Sequence, residues 1–174
     1  MLKITTIIAT IACSDCAYGC DVTLIDAKRF ENSTIREINL ALQRESVNIS
    51  ILPIEQNISP ARAAGLVPPS TQVVVVHFST FATKTLPDNN GDFGTFIKEA
   101  QKITEAHAKY VVYSRAFSRG DSCDSSPVRD TVLREANIDE PAAANICFIH
   151  SAPPRFVSKE QKESLKKLIL QRCY

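Results

Sequence analysis

Two of the three histidines in this chain, together with several hydroxyls and an arginine, stand directly after short apolar runs. His77 is followed by Phe78, Ser79 and Thr80, Ser114 and Arg115 open a second polar cluster, and His150 and Ser151 open a third. Asp26 closes an earlier run, with Lys28 and Arg29 behind it. An imidazole changes charge near neutral pH, and a guanidinium can clamp a carboxylate or phosphate through two parallel hydrogen bonds. If these residues share one rim, Asp26, His77, Ser79, Ser114, Arg115 and His150 can contact one small polar or anionic ligand or a protein partner. His77 and Arg115 are the foremost contacts expected. The competing account is plain: strand ends are polar because they reach solvent, with His77 a satisfied structural histidine and Arg115 a surface residue.

Catalysis is the second reading. A small hydrolase with a His-activated Ser or Cys could be composed from Ser79 or Ser114, His77 or His150, and Asp26, with Cys123 as the thiol. No G-x-S-x-G elbow presents a serine. The Gly120-Asp121-Ser122 triplet lies well beyond the fourth run, whereas GDSL-type hydrolases carry it after the first strand. The placement of His77 and Cys123 resembles that of caspase-like peptidases, which have His after the third strand and Cys after the fourth. The resemblance ends there, because Phe78 follows His77 where that family has Gly. Without a G-x-G-x-x-G or Walker-type loop, and without metal-ligand spacing, no cofactor and no metal are expected.

The elements that must position these residues alternate in type. The apolar runs are Asp21 to Ile25, Val47 to Leu52, Gln72 to Val76, Tyr110 to Tyr113 and Asn145 to Ile149. Between them lie helical patterns. Thr34-x-x-Glu37 reads as a capping box ahead of Ile35, Ile38 and Leu42. Ser59, Pro60 and Gly65 frame a short helix, and Phe93, Ile97, Ala100 and Ile103 mark a third ending near His107. A fourth opens with Ser126 and Pro127, and a fifth with Ser158-x-x-Gln161. The stretch Thr80 to Asp92 reads as a long irregular loop.

Continuous apolar runs fit strands covered on both faces, while Val47-Asn-Ile-Ser-Ile51 alternates and suits an edge. The expected fold is one three-layer α/β/α domain, with a five-stranded parallel sheet in the flavodoxin-like order 2-1-3-4-5. The element order is similar to that of receiver domains, with Ser114 at the position of their hydroxyl after strand four. Their aspartate after strand three and lysine after strand five are replaced by His77 and Ser151. The similarity therefore implies topology and no phosphorylation chemistry.

With 174 residues the chain is long enough for one well-buried core. A formal net charge of +1 excludes a broad basic face, so no nucleic-acid partner is expected. Residues 1–19 carry one lysine, a short apolar stretch and Ala17-Tyr-Gly19 before Cys20, the pattern of a secretory signal peptide. That apolar stretch is too short for a transmembrane segment. The chain is expected to be exported to the periplasm or the extracellular space, with a lipid-anchored form on Cys13 or Cys20 as a variant. It would be cytoplasmic if the N-terminus is instead a strand.

Residues 20–174 then form the single domain, and keep four cysteines at 20, 123, 147 and 173. Cys20 opens the first strand and Cys173 closes the last helix, so both should meet at one edge as a disulfide. Cys147, mid-strand, reads as a buried small hydrophobe, and Cys123 as a disulfide or an inert loop thiol. N-x-S/T triplets at Asn32, Asn48 and Asn57 read as chance, since Asn48 falls inside a strand.

Overall fold

All five apolar runs form strands, joined in one all-parallel sheet of order β2-β1-β3-β4-β5. This computed structural model describes residues 19–27, 33–55, 58–81, 86–105, 107–114, 123–124, 127–150 and 159–174. Its strands are β1 (Cys20–Ala27), β2 (Val47–Ile54), β3 (Val73–His77), β4 (Lys109–Ser114) and β5 (Ile146–His150). Its helices are α1 (Ser33–Leu42), α2 (Pro60–Ala64), α3 (Leu86–Ile103), α4 (Pro127–Glu135), α5 (Glu140–Ala143) and α6 (Lys159–Cys173).

The strand order reverses at β1, and the helix layers follow from it. A right-handed crossover leftward from β1 to β2 puts its helix on one face, and the rightward crossovers put theirs on the other. Accordingly Ile35, Ile38 and Leu42 of α1, with Leu165 and Ile169 of α6, pack on Val22, Leu24, Val73, Val75 and Val111. On the opposite face α2 to α5 cover Ile25, Val74, Val76, Val112 and Phe148 with Ala63, Phe93, Phe96, Ile97, Leu133 and Ala143. β1, β3, β4 and β5 are buried between the layers, whereas β2 at the edge leaves Asn48, Ser50 and Ile51 exposed. The Asn48 amide donates to Gly19 O at 3.2 Å and to Asp21 Oδ1 at 2.8 Å, tying the edge strand to β1.

Helix boundaries depart from the sequence reading in three places. α1 begins at Ser33, so Thr34 lies within the first turn and is not the cap. α3 begins at Leu86, seven residues earlier than its apolar stripe suggests, with Pro87 in its first turn where a missing N–H costs nothing. It also ends at Ile103, short of His107, and Glu105 then takes a left-handed φ of 50°. The described parts of the expected long loop are therefore regular, since a 3-10 turn (Phe78–Phe81) holds its start and α3 its end, while residues 82–85 lie outside the described residues. The short α5 was not anticipated, although Asp139 caps it by accepting from Ala142 N at 3.2 Å.

The ends of α2 and α4 show how local sequence stops a helix. Ser59 accepts from Arg62 N at 3.3 Å and Pro60 opens α2, as read from the sequence. α4 closes with Asn137 at φ 54°, while Ile138 N donates to Leu133 O and Asn137 N to Arg134 O. That pair of bonds satisfies two carbonyls that the last turn would otherwise leave bare. α4 also approaches α3 very closely. A Cβ on Gly94 would come within 2.0 Å of Ala136 O, so no other residue fits that crossing without backbone movement.

Two disulfides close the fold. Cys20 and Cys173 are bonded with Cα atoms 5.5 Å apart, as their positions implied. Cys123 and Cys147 form the second bond, with Cα atoms 4.2 Å apart. Cys147 is fully buried, as expected of a small hydrophobe, but it is cross-linked and not a free thiol. Two disulfides point to an oxidising compartment. Among the described residues no helix is long and apolar enough to cross a membrane.

Candidate functional site

Strand pairing sets a row of three polar side chains at the carboxyl ends of the central strands. β1 pairs with β3 as Val22↔Val73 and Leu24↔Val75, so continuing the register by two residues puts Asp26 beside His77. His77 in turn pairs with Tyr113 of β4. Strand alternation assigns all three to the face of α1 and α6, the one that Val22, Leu24, Val73, Val75 and Val111 occupy further down. The row spans the β1/β3 boundary, where the order reverses and open α/β sheets bind their ligands.

Burial makes this row unlike an ordinary solvated rim. Asp26 is 9% exposed and Tyr113 5%, while His77 is half-buried. The rings of His77 and Tyr113 meet edge to face, with centroids 5.0 Å apart. Burial drives the Tyr113 phenol far above its ordinary range, and the nearby Asp26 carboxylate adds to the shift. Tyr113 is thus a neutral O–H donor at any physiological pH. A carboxylate, an imidazole and a phenol side by side can donate to and accept from a small polar group.

Ser114 is buried at 4% but follows Tyr110 and Val112 in alternation, which assigns it to the α2–α5 face. It is paired in register with His150, the last residue of β5. Asp26, His77 and Ser114 all have further interaction partners, so none is an idle surface group. The structure thus sets Asp26 and His77 on the face of Tyr113, which His77 touches and the Asp26 charge reaches, and puts Ser114 on the other side of the sheet. Arg115, and the side chains of Ser79 and His150, lie outside the described residues.

No known family matches this chain. Neither a curated protein nor a solved structure matches it either. The local geometry is therefore what bears on function. Sequence reasoning missed Tyr113, which it treated as the end of an apolar run. The available signal was parity, since Tyr113 follows Val111 by two residues and so shares the face of His77.

The thiol route to catalysis finds no free nucleophile here, because the Cys123 sulfur is bonded to Cys147. A separate groove of about 510 Å³ is lined by Lys98, Lys102 and Glu105 near the end of α3 and by Ile138, Asp139 and Ala142 beside α5. These residues precede β4 and β5, so the groove lies toward the amino edge, away from the Asp26–His77–Tyr113 row.

Proposed function

We propose that this protein is an exported, non-catalytic binding domain that recognises a small polar or anionic ligand at the carboxyl edge of its sheet. The observation that carries the reading is the buried Asp26–His77–Tyr113 row at the strand-order reversal. Asp26 and Tyr113 are buried beside the half-buried His77, and polar groups in such low-dielectric surroundings bond a ligand more strongly than solvated ones do. His77 and Tyr113 would donate to the ligand, while Asp26 orients its neighbours. The arginine at position 115, one residue beyond β4, is the natural counter-charge for an anion.

Export is supported by the cysteine distribution. Cys13 and Cys16 fall within the leader-like residues 1–19, and the remaining four are paired in two disulfides. Intact mass of the secreted product tests this directly: a start at Cys20 with four oxidised cysteines is expected, and a retained Met1 with free thiols contradicts it.

Binding is tested by a thermal-shift screen of small carboxylates, phosphates and polyols. A ligand at 100 times its dissociation constant stabilises the fold by about 2.7 kcal/mol. The shift should vanish in His77→Ala. Turnover of ester, peptide or glycoside reporters that is lost in His77→Ala would replace this reading with the hydrolase one.

A further inference from the structure

The two disulfides sit in different chemical surroundings. Cys147, the second residue of β5, is fully buried, whereas Cys123, in the chain beyond β4, is only half-buried. From α6 the Arg172 guanidinium donates to the Cys147 sulfur through Nε at 2.8 Å and through a second nitrogen as well. Among the described residues no carboxylate pairs with Arg172, although it is partly buried. Burial, and then the positive charge of Arg129 on α4, make its own protonated form harder to hold. A neutral disulfide does nothing to relieve that. A thiolate would.

We propose that Cys123–Cys147 is an exchangeable disulfide, opened at Cys123 by an external dithiol reductant, with Cys147 leaving as a thiolate held by Arg172. Thiol–disulfide exchange needs an accessible sulfur to attack and a stabilised sulfur to expel. Cys123 supplies the first, because Cys147 is closed to solvent. Arg172 supplies the second, since an adjacent guanidinium lowers the pKa of a thiol and makes its thiolate the better leaving group.

In the first step one thiolate of the reductant forms a bond to Cys123 Sγ. The Cys123–Cys147 bond breaks, and its electron pair goes to Cys147. In the second step the reductant's other sulfur, as thiolate, attacks the mixed disulfide and releases Cys123 as thiolate. The reductant ends as a disulfide, two electrons have passed to the protein, and the protons displaced from the reductant are available to its thiols. Opening this bond unties the chain beyond β4 from β5, while Cys20–Cys173 still joins the first strand to the last helix.

The test is graded dithiothreitol on the folded, oxidised chain, followed by alkylation and peptide mapping. Cys123 and Cys147 should become labelled at least about tenfold faster than Cys20 and Cys173. Glutathione, as a one-thiol probe, should leave its adduct on Cys123. Arg172→Gln should slow opening by about tenfold, and Arg172→Lys should restore most of the rate. Opening of Cys20–Cys173 first or at the same rate, an adduct on Cys147, or an unchanged rate in a folded Arg172→Gln protein would each overturn the proposal. If Arg172→Gln does not fold, the labelling order and adduct position in the wild type decide.

Discussion

The two faces of the sheet are built to different ends. Under α2 to α5 the core is aromatic, with Phe78, Phe81, Phe93, Phe96 and Phe148 packed ring against ring, and only Ser114 of β4 is a buried polar residue at its carboxyl edge among the described strand residues. Under α1 and α6 the apolar rows stop short, and Asp26, His77 and Tyr113 take the last positions. The second face also has fewer helices to hold it. It is fastened by the Cys20–Cys173 bond and by ion pairs from Lys162 to Glu37 and from Lys166 to Glu45, both at 2.5 Å. Half-exposed pairs of this kind contribute well under about 1 kcal/mol each, so the disulfide outweighs them and adds to the packing of Leu42, Leu165 and Ile169. Both faces are closely buried, but the α1/α6 face ends in Asp26, His77 and Tyr113 where its neighbours below are apolar.

The sharpest way to break this contrast is to cut the fastening. Replacing Cys20 and Cys173 together by serine frees a span of 153 residues in the unfolded chain, a loss of about 5 kcal/mol by loop entropy. Urea denaturation should show that loss. Little change would mean that α6 holds by packing alone.

On the other face, Phe96→Ala removes a fully buried ring and should cost about 4 kcal/mol. Gly94→Ala should cost about 3 kcal/mol, because its methyl meets the Ala136 backbone and not a side chain that can swing away. A fully folded Gly94→Ala protein of wild-type stability would contradict the close α3–α4 crossing.

A smaller effect samples both faces at once. Tyr110, under α3, has its pKa pushed up to about 12 by burial, an effect that a nearby Thr104 hydroxyl partly offsets, and Tyr113 is raised further. Both titrate near 10 in the unfolded chain. A raised folded pKa gives stability that is whole below pH 10 and is lost as pH climbs through the folded value. Between pH 10 and 12, Tyr110 alone should forfeit about 2 kcal/mol. Urea midpoints at pH 9 and pH 11.5 measure this, and equal midpoints would mean that the phenols are not buried as described.

Much of the fold was legible because its signals are local. Val73 to Val76 can hardly be anything but a covered strand, the alternation in Val47 to Ile51 marked the edge, and Ser59-Pro60 announced α2. The start of α3 was hidden because Leu86-Pro-Asp-Asn-Asn-Gly91 has the composition of a loop, although a proline suits a first helical turn. The Cys20–Cys173 bond followed from topology, since a helix returns antiparallel to its strand. Cys123–Cys147 did not, because a residue in an irregular segment has no register from which to place it. The site was half legible. Asp26 and His77 could be placed at strand ends by type, but whether they share a face depends on parity across three strands, and the parity that separates Ser114 also adds Tyr113.

The central claim, that the α1/α6 face ends in a binding row, is tested most directly by a two-dimensional amide NMR titration of the oxidised protein with a hit from the thermal-shift screen. Shifts should concentrate at the carboxyl ends of β1, β3 and β4, around Asp26, His77 and Tyr113, and disappear in a folded His77→Ala protein. Shifts that map to the groove beside Lys98 and Asp139, or that survive in His77→Ala, would contradict it.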